Sequence, residues 1–376
     1  MSNMPLLALS LFSIATLAFA APQEESYLIR LHDAIAQTRA ELPALTASAE
    51  RAARAYTAGG NLYAAGTQED FIGEACGRAG GLMTIVPLSS QTPTNHDVIL
   101  YGVRGKLSVN EARRIDGWQR NGAEAVKFAS SAGLFRERWP VDTVANVAAL
   151  WAWTGEFVAA CSRLGKMPVL YQSYGLPGGP ERGKKYQGQR FHSDFIIKPV
   201  EAGCLGKAYL DQIERMLSEI NQTQRPKIIQ AARWWETIPG SSTLTLVTGH
   251  MFPAHGKDPR IPSVSRFLPV SAWENKDLLD TNALPSLVLY LGYQFAPHRL
   301  LEQAKDSAVK LVYFDVQPDQ PPEPATNILY VRPGWPLPDA CVEVPGYDIP
   351  ILPASGVIQS AIFWDIAAER DKLSPF

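Results

Sequence analysis

Residues 62–78 read Leu-Tyr-Ala-Ala-Gly, then Thr-Gln-Glu-Asp, then Phe-Ile-Gly-Glu-Ala-Cys-Gly-Arg. The first five are a short apolar run closed by glycine, the signature of a buried strand. Thr67-Gln68-Glu69-Asp70 is a polar turn, and 71–78 carries helical spacing. Working outward, Ala52-Ala53-Arg54 leads through Gly59-Gly60 into this strand, so the order is helix, glycine stop, strand, turn, helix.

The same order returns later in the chain. Ala231-Ala232-Arg233 leads through Pro239-Gly240 into Thr243-Leu244-Thr245-Leu246-Val247-Thr248-Gly249. Val98-Ile99-Leu100-Tyr101-Gly102 is answered by Leu287-Val288-Leu289-Tyr290-Leu291-Gly292, and 125–128 (AVKF) by 308–311 (AVKL). Three matches in sequence order indicate an internal repeat of long period. The strands are apolar without alternation, as for strands covered on both faces of a parallel sheet. Helices at Val109–Arg120 and His298–Ala304 fall between them. The expected fold is α/β, two doubly wound parallel-sheet domains of flavodoxin-like kind in tandem. Further helices are expected over 26–56, bent or broken at Pro43, and over 144–164, 206–220 and 356–372, the last closing the second half on Ile358, Ile362, Phe363 and Ile366. Pro226 marks a joint between helices. The expected organisation is a leader over 1–20, a first domain over 26–222 and a second over 223–376.

Composition narrows the class. Of 376 residues, 46% are hydrophobic and 19% charged, which excludes an extended disordered chain. Net charge is −2 and no basic run exceeds two residues, so a nucleic-acid partner has no electrostatic footprint. Cys76, Cys161, Cys204 and Cys341 lie far apart, without the C-x-x-C pair of a structural zinc site. The apolar stretch ending Ala18-Phe19-Ala20 reads as a secretory leader, although no basic residue precedes it. It implies export to a periplasmic or extracellular space, with no membrane span once it is removed; an uncleaved anchor or a buried helix is the alternative reading.

The order of elements resembles the SIS (sugar isomerase) fold, duplicated in tandem, and the resemblance covers nearly the whole chain after the leader. The string 71–78 is similar to the glycine turn and Glu-x-x-Gly-Arg helix of phosphoheptose isomerases. That resemblance implies an active-site role for Glu74, and a sugar or sugar phosphate held by the turn after the second strand. The turn here is Gly102-Val103-Arg104-Gly105-Lys106-Leu107-Ser108, in which most of the family's hydroxyls are missing; 292–298 in the second half keeps none.

The residues also speak for themselves. A strand ending in glycines and opening a helix exposes backbone amides with a helix dipole behind them, an anion site. Thr67, Gly102, Arg104, Gly105, Lys106 and Ser108 are the candidate binding residues; alternatively Ser108 caps the helix and the cations face water. Glu74 is the candidate proton carrier for aldose–ketose isomerisation, or else pairs with Arg78 four residues on. His250, at the end of the strand 243–249, and His192, beside the glycine- and lysine-rich 175–188, are the candidate histidine partners. A lid or a solvated loop are the two readings of 175–188. Trp151, Trp153, Tyr171 and Tyr174 suit a core more than a sugar platform. No cofactor is implied and His250 with His255 lacks a third metal ligand. The three functional readings are a sugar-phosphate isomerase, a non-catalytic exported binding protein for a carbohydrate derivative, and a structural or partner-binding module that retains the fold alone; homo-oligomer formation is compatible with each.

Overall fold

The computed structural model describes residues 26–130, 139–195, 197–248, 264–268, 285–294, 296–305, 307–316 and 325–373. The expected leader, His250, Gly249, His255 and the proline-rich 317–324 lie outside the described residues.

The first unit opens with two helices, α1 (Tyr27–Ala40) and α2 (Leu42–Thr57). They divide at Glu41 because Pro43 has no N–H to give and sits in the first turn of α2, where none is needed. Then come β1 (Leu62–Gly66), α3 (Glu69–Ala75), β2 (Ile85–Pro87), β3 (Val98–Gly102), α4 (Val109–Arg120) and β4 (Glu124–Phe128). Helices α5 (Val141–Arg163), α6 (Gly179–Lys185), α7 (Cys204–Thr223) and α8 (Arg225–Thr237) follow, α7 giving way to α8 at Gln224, just before Pro226. The second sheet is built from β5 (Thr243–Thr248), β6 (Val264–Leu268), β7 (Leu287–Leu291), β8 (Lys310–Phe314) and β9 (Ile328–Tyr330), with α9 (His298–Lys305) before β8. A short antiparallel pair, β10 (Ala340–Val342) and β11 (Ile351–Pro353), precedes α10 (Ser355–Leu373).

Both large sheets are parallel throughout, in the orders β2-β1-β3-β4 and β6-β5-β7-β8-β9. Each is the flavodoxin-like order, whose direction reverses between the unit's first and third strands. Alternate residues explain the unbroken apolar runs. Leu62, Ala64, Val98, Leu100, Val126 and Phe128 face a central core, while Ala65, Ile99, Tyr101 and Ala125 pack with Ile115 and Trp118 of α4. In the second sheet Leu287, Leu289, Val312 and Phe314 face the same central core, and Val288, Tyr290, Leu311 and Tyr313 pack with Leu300, Leu301 and Ala304 of α9. The fold is therefore two doubly wound α/β units in tandem around one continuous core.

Three readings change. The strand answering 124–128 is Lys310–Phe314, so the string 308–311 begins ahead of its strand and the echo is real by element rather than by that string. Residues 179–185 form a helix, not a loop, because Arg182 is buried and bonded on its inner face. Helix α10 does not merely close the second half: it packs on α8 and also on α1, α5 and α7. Trp151 and Trp153 are core, both fully buried, whereas Tyr174 is exposed. Helix α5 is long and apolar enough to cross a bilayer, but nearly all of that stretch is buried inside the fold.

Candidate functional site

The direction reversal in the first sheet lies between β1 and β3, at Gly66 and Gly102. In open α/β sheets this crevice at the carboxyl ends is where ligands bind. The strands approach closely here: Gly66 has φ +136° and a side chain on it would strike the Gly102 carbonyl, while one on Gly102 would strike the Phe71 ring. The predicted residues Thr67, Gly102, Arg104 and Gly105 are brought together. The Thr67 and Gln68 amides donate to the Gly102 carbonyl, and the Arg104 amide donates to Thr67 Oγ1 at 2.9 Å.

Helix α5 is fastened onto this turn by residues that sequence reasoning missed. Asn146 Nδ2 donates to Gln68 Oε1 at 3.0 Å and to the Val103 carbonyl at 2.8 Å, and Gln68 Nε2 donates to the Thr143 carbonyl at 2.9 Å. Asp142 Oδ2 accepts the Gly105 amide at 3.2 Å. The Arg104 guanidinium is half exposed and lies 3.5 Å from the buried Asp70 carboxylate. Lys106 is exposed. Ser108 closes a full capping box on α4, its Oγ accepting the Glu111 amide at 3.2 Å and its amide donating to Glu111 Oε2 at 2.8 Å. The capping alternative for Ser108 is thus realised.

Glu74 sits deeper, with no exposed surface. Its Oε2 is 3.5 Å from Arg78 Nε, realising the pairing four residues apart. Arg78 is itself buried and reaches into the second half, Nη2 donating to Asp339 Oδ2 at 3.1 Å and to Ser355 Oγ at 2.6 Å, with its guanidinium over the Tyr293 ring. Asp339 is well supplied: it accepts the Ser355 hydroxyl at 2.9 Å and the Ser355 and Ala354 amides at 2.8 and 3.2 Å. The cluster holds one cation and two carboxylates, and Asp339 has the fuller set of hydrogen bonds of the two. Burial pushes the Glu74 carboxyl up to about 7, with Arg78 opposing and Asp339 reinforcing the rise. Arg78 is held charged, its two carboxylate neighbours outweighing burial. A side chain at Gly356, in the first turn of α10, would place its Cβ 2.6 Å from Glu74 Oε2.

His192 belongs to a separate cluster. Its Nδ1 is 3.1 Å from Asp194 Oδ1 and its Nε2 2.8 Å from the Tyr347 hydroxyl, and its ring is enclosed by Tyr186, Phe195 and Tyr347. Burial lowers its pKa, partly offset by Asp194. Arg182 donates to the same Tyr347 hydroxyl at 2.6 Å and to Asp348 Oδ2 at 2.5 Å. These bonds tie α6 and its flanks to the second half. In the second unit, Asp315 follows β8 beside Gly292; it is fully buried, and burial pushes its carboxyl up to about 8, opposed in part by a backbone hydrogen bond from Val316.

No family model and no curated protein matches the chain. Among solved structures it is similar to the C-terminal domain of glucosamine-fructose-6-phosphate aminotransferase from Francisella tularensis, at 9% identity over 92% of this chain and 94% of that one, TM-score 0.45. It is also similar to tagatose-6-phosphate ketose/aldose isomerase from Escherichia coli, at 10% identity over 92% of this chain and 90% of that one, TM-score 0.44. Likeness at this level carries no activity from those proteins to this chain. What stands on the strand order and register is a tandem α/β protein whose first switch point is lined by Thr67, Arg104, Gly105 and Asp142.

Proposed function

We propose that this chain is a SIS-like binding protein for a carbohydrate derivative, holding its ligand at the switch point of the first unit without isomerising it. From its leader-like residues 1–20 we also propose that it works outside the cytoplasm. The observation that supports binding without turnover is the enclosure of Glu74. A proton carrier must reach the sugar carbons within hydrogen-bond distance or through one water. Glu74 has no exposed surface, and even one methyl on Gly356 would be 2.6 Å from its carboxylate. Its place in the Arg78–Asp339–Ser355 cluster gives it a joining role between the two units.

One observation favours the isomerase reading instead. A carboxyl titrating at about 7 is suited to proton transfer at neutral pH, and it would act if the start of α10 withdrew from it. Incubation with aldoses, ketoses and their 6-phosphates in deuterated water separates the two. Binding by calorimetry with no deuterium entering the sugar, and binding retained in Glu74→Gln, is the expected result. Deuterium incorporation that Glu74→Gln abolishes would establish the isomerase and overturn the proposal.

A further inference from the structure

A phosphate held by the turn after β3 would use its backbone amides and hydroxyls. In this chain four of those amides already have acceptors. The Val103 amide donates to the Phe128 carbonyl, Arg104 to Thr67 Oγ1, Gly105 to Asp142 Oδ2 and Ser108 to Glu111 Oε2. Two of the four acceptors are carboxylates, which make charge-assisted hydrogen bonds stronger than neutral ones. The Ser108 hydroxyl oxygen accepts the Glu111 amide in the α4 cap, and the Arg104 guanidinium faces Asp70 at 3.5 Å. A dianion seated on the Gly105 amide would displace Asp142 and meet its charge at close range.

Asp142 is not there by local accident. It is carried in by the first turn of α5, which Asn146 and Thr143 pin to Val103 and Gln68 through three hydrogen bonds. The carboxylate therefore arrives on a rigid element, 37 residues along the chain from the amide that it accepts. Carboxylates, a half-exposed arginine and an exposed lysine together suit sugar hydroxyls, which both donate and accept.

We propose that the Asp142 carboxylate occupies the position a ligand phosphate would take, so that the switch-point turn accepts an unphosphorylated sugar. This rests on the sugar-binding reading above and specifies its ligand class. The intact chain is titrated calorimetrically with inorganic phosphate, with free hexoses and hexosamines, and with their 6-phosphates. For the wild type, no binding of inorganic phosphate is expected, and a free sugar should bind about tenfold or more tighter than its 6-phosphate. Asp142→Ala, which releases the Gly105 amide and removes the charge, should gain about tenfold or more in affinity for inorganic phosphate. Asp142→Asn keeps an acceptor for that amide and should gain less, separating occupancy from charge; circular dichroism confirms that both variants fold.

Wild-type affinity for phosphate equal to that of Asp142→Ala would overturn the proposal, as would no gain in Asp142→Ala. So would a sugar phosphate that binds the wild type better than its parent sugar. If Asp142→Ala gains phosphate but no sugar of either kind binds the wild type, the sugar-binding reading fails while the blockade by Asp142 stands.

Discussion

Replacing Glu74 with Gln tests the buried cluster through its proton. Glu74 titrates near 4.5 in an unfolded chain and at about 7 in the folded one. The folded state holds this proton more tightly, so its contribution is intact below pH 4.5 and is lost as pH rises through 7. The gap corresponds to about 3 kcal/mol. The groups facing Glu74 are Arg78, Asp339 and Asp70, together with the Trp151 indole, and Tyr209 and Tyr293 lie in the same buried cluster. None of them supplies a second cation. Glu74→Gln keeps the shape and removes the titration. Urea unfolding of both proteins at pH 5 and pH 8.5 should show the variant gaining on the wild type by about 2–3 kcal/mol across that interval. Titration of all other carboxyls, Asp315 and Asp365 included, is common to both proteins and cancels in the difference. A difference that does not change with pH would refute the assignment of the proton to Glu74.

Gly356→Ala should lower stability by about 1–3 kcal/mol in the same denaturation assay, because its methyl has no room against the Glu74 carboxylate. Pairing it with Glu74→Ala, which opens that space, should recover part of the loss. Asp315→Asn should be more stable than the wild type at pH 9 and lose that advantage at pH 4, since burial raises the Asp315 pKa from 3.8 to about 8; a constant difference would count against it. Tyr347→Phe removes the hydroxyl shared by His192 and Arg182 and should cost about 1–3 kcal/mol, read as a drop in melting temperature. An unchanged melting temperature would show that water replaces it.

The fold was legible because local signals and burial agree. Strands 62–66, 98–102 and 287–291 are apolar on successive residues, and the sheets are covered on both faces, so no alternation was there to find. Ser108 with Glu111, Pro43 and Pro226 mark helix starts by the chemistry of unpaired amides. Helix α6 escaped because the five glycines of 175–188 and its short length leave almost no periodicity, and Arg182 is turned inward by partners at 170, 347 and 348. The site was legible in part. Thr67, Gly102, Arg104 and Gly105 share one crevice because the glycine-ended strands adjoin. The Glu74–Arg78 pair could be read from spacing, but Asp339 lies 261 residues from Arg78 and Ser355 lies 277 away. Asp142 had no local signal either, since its partner is a backbone amide that any sequence provides. His192 is drawn away from the turn by aromatic packing and by Asp194.

Helix α10 packs against α1, α5, α7 and α8, yet it follows every other described element in chain order. During synthesis the first unit must therefore wait, with Arg78 lacking Asp339 and Ser355, until some 280 further residues have emerged. An early-made half with a charged, unfinished face is a natural client for chaperones, and slow translation ahead of residue 355 would prolong that exposure.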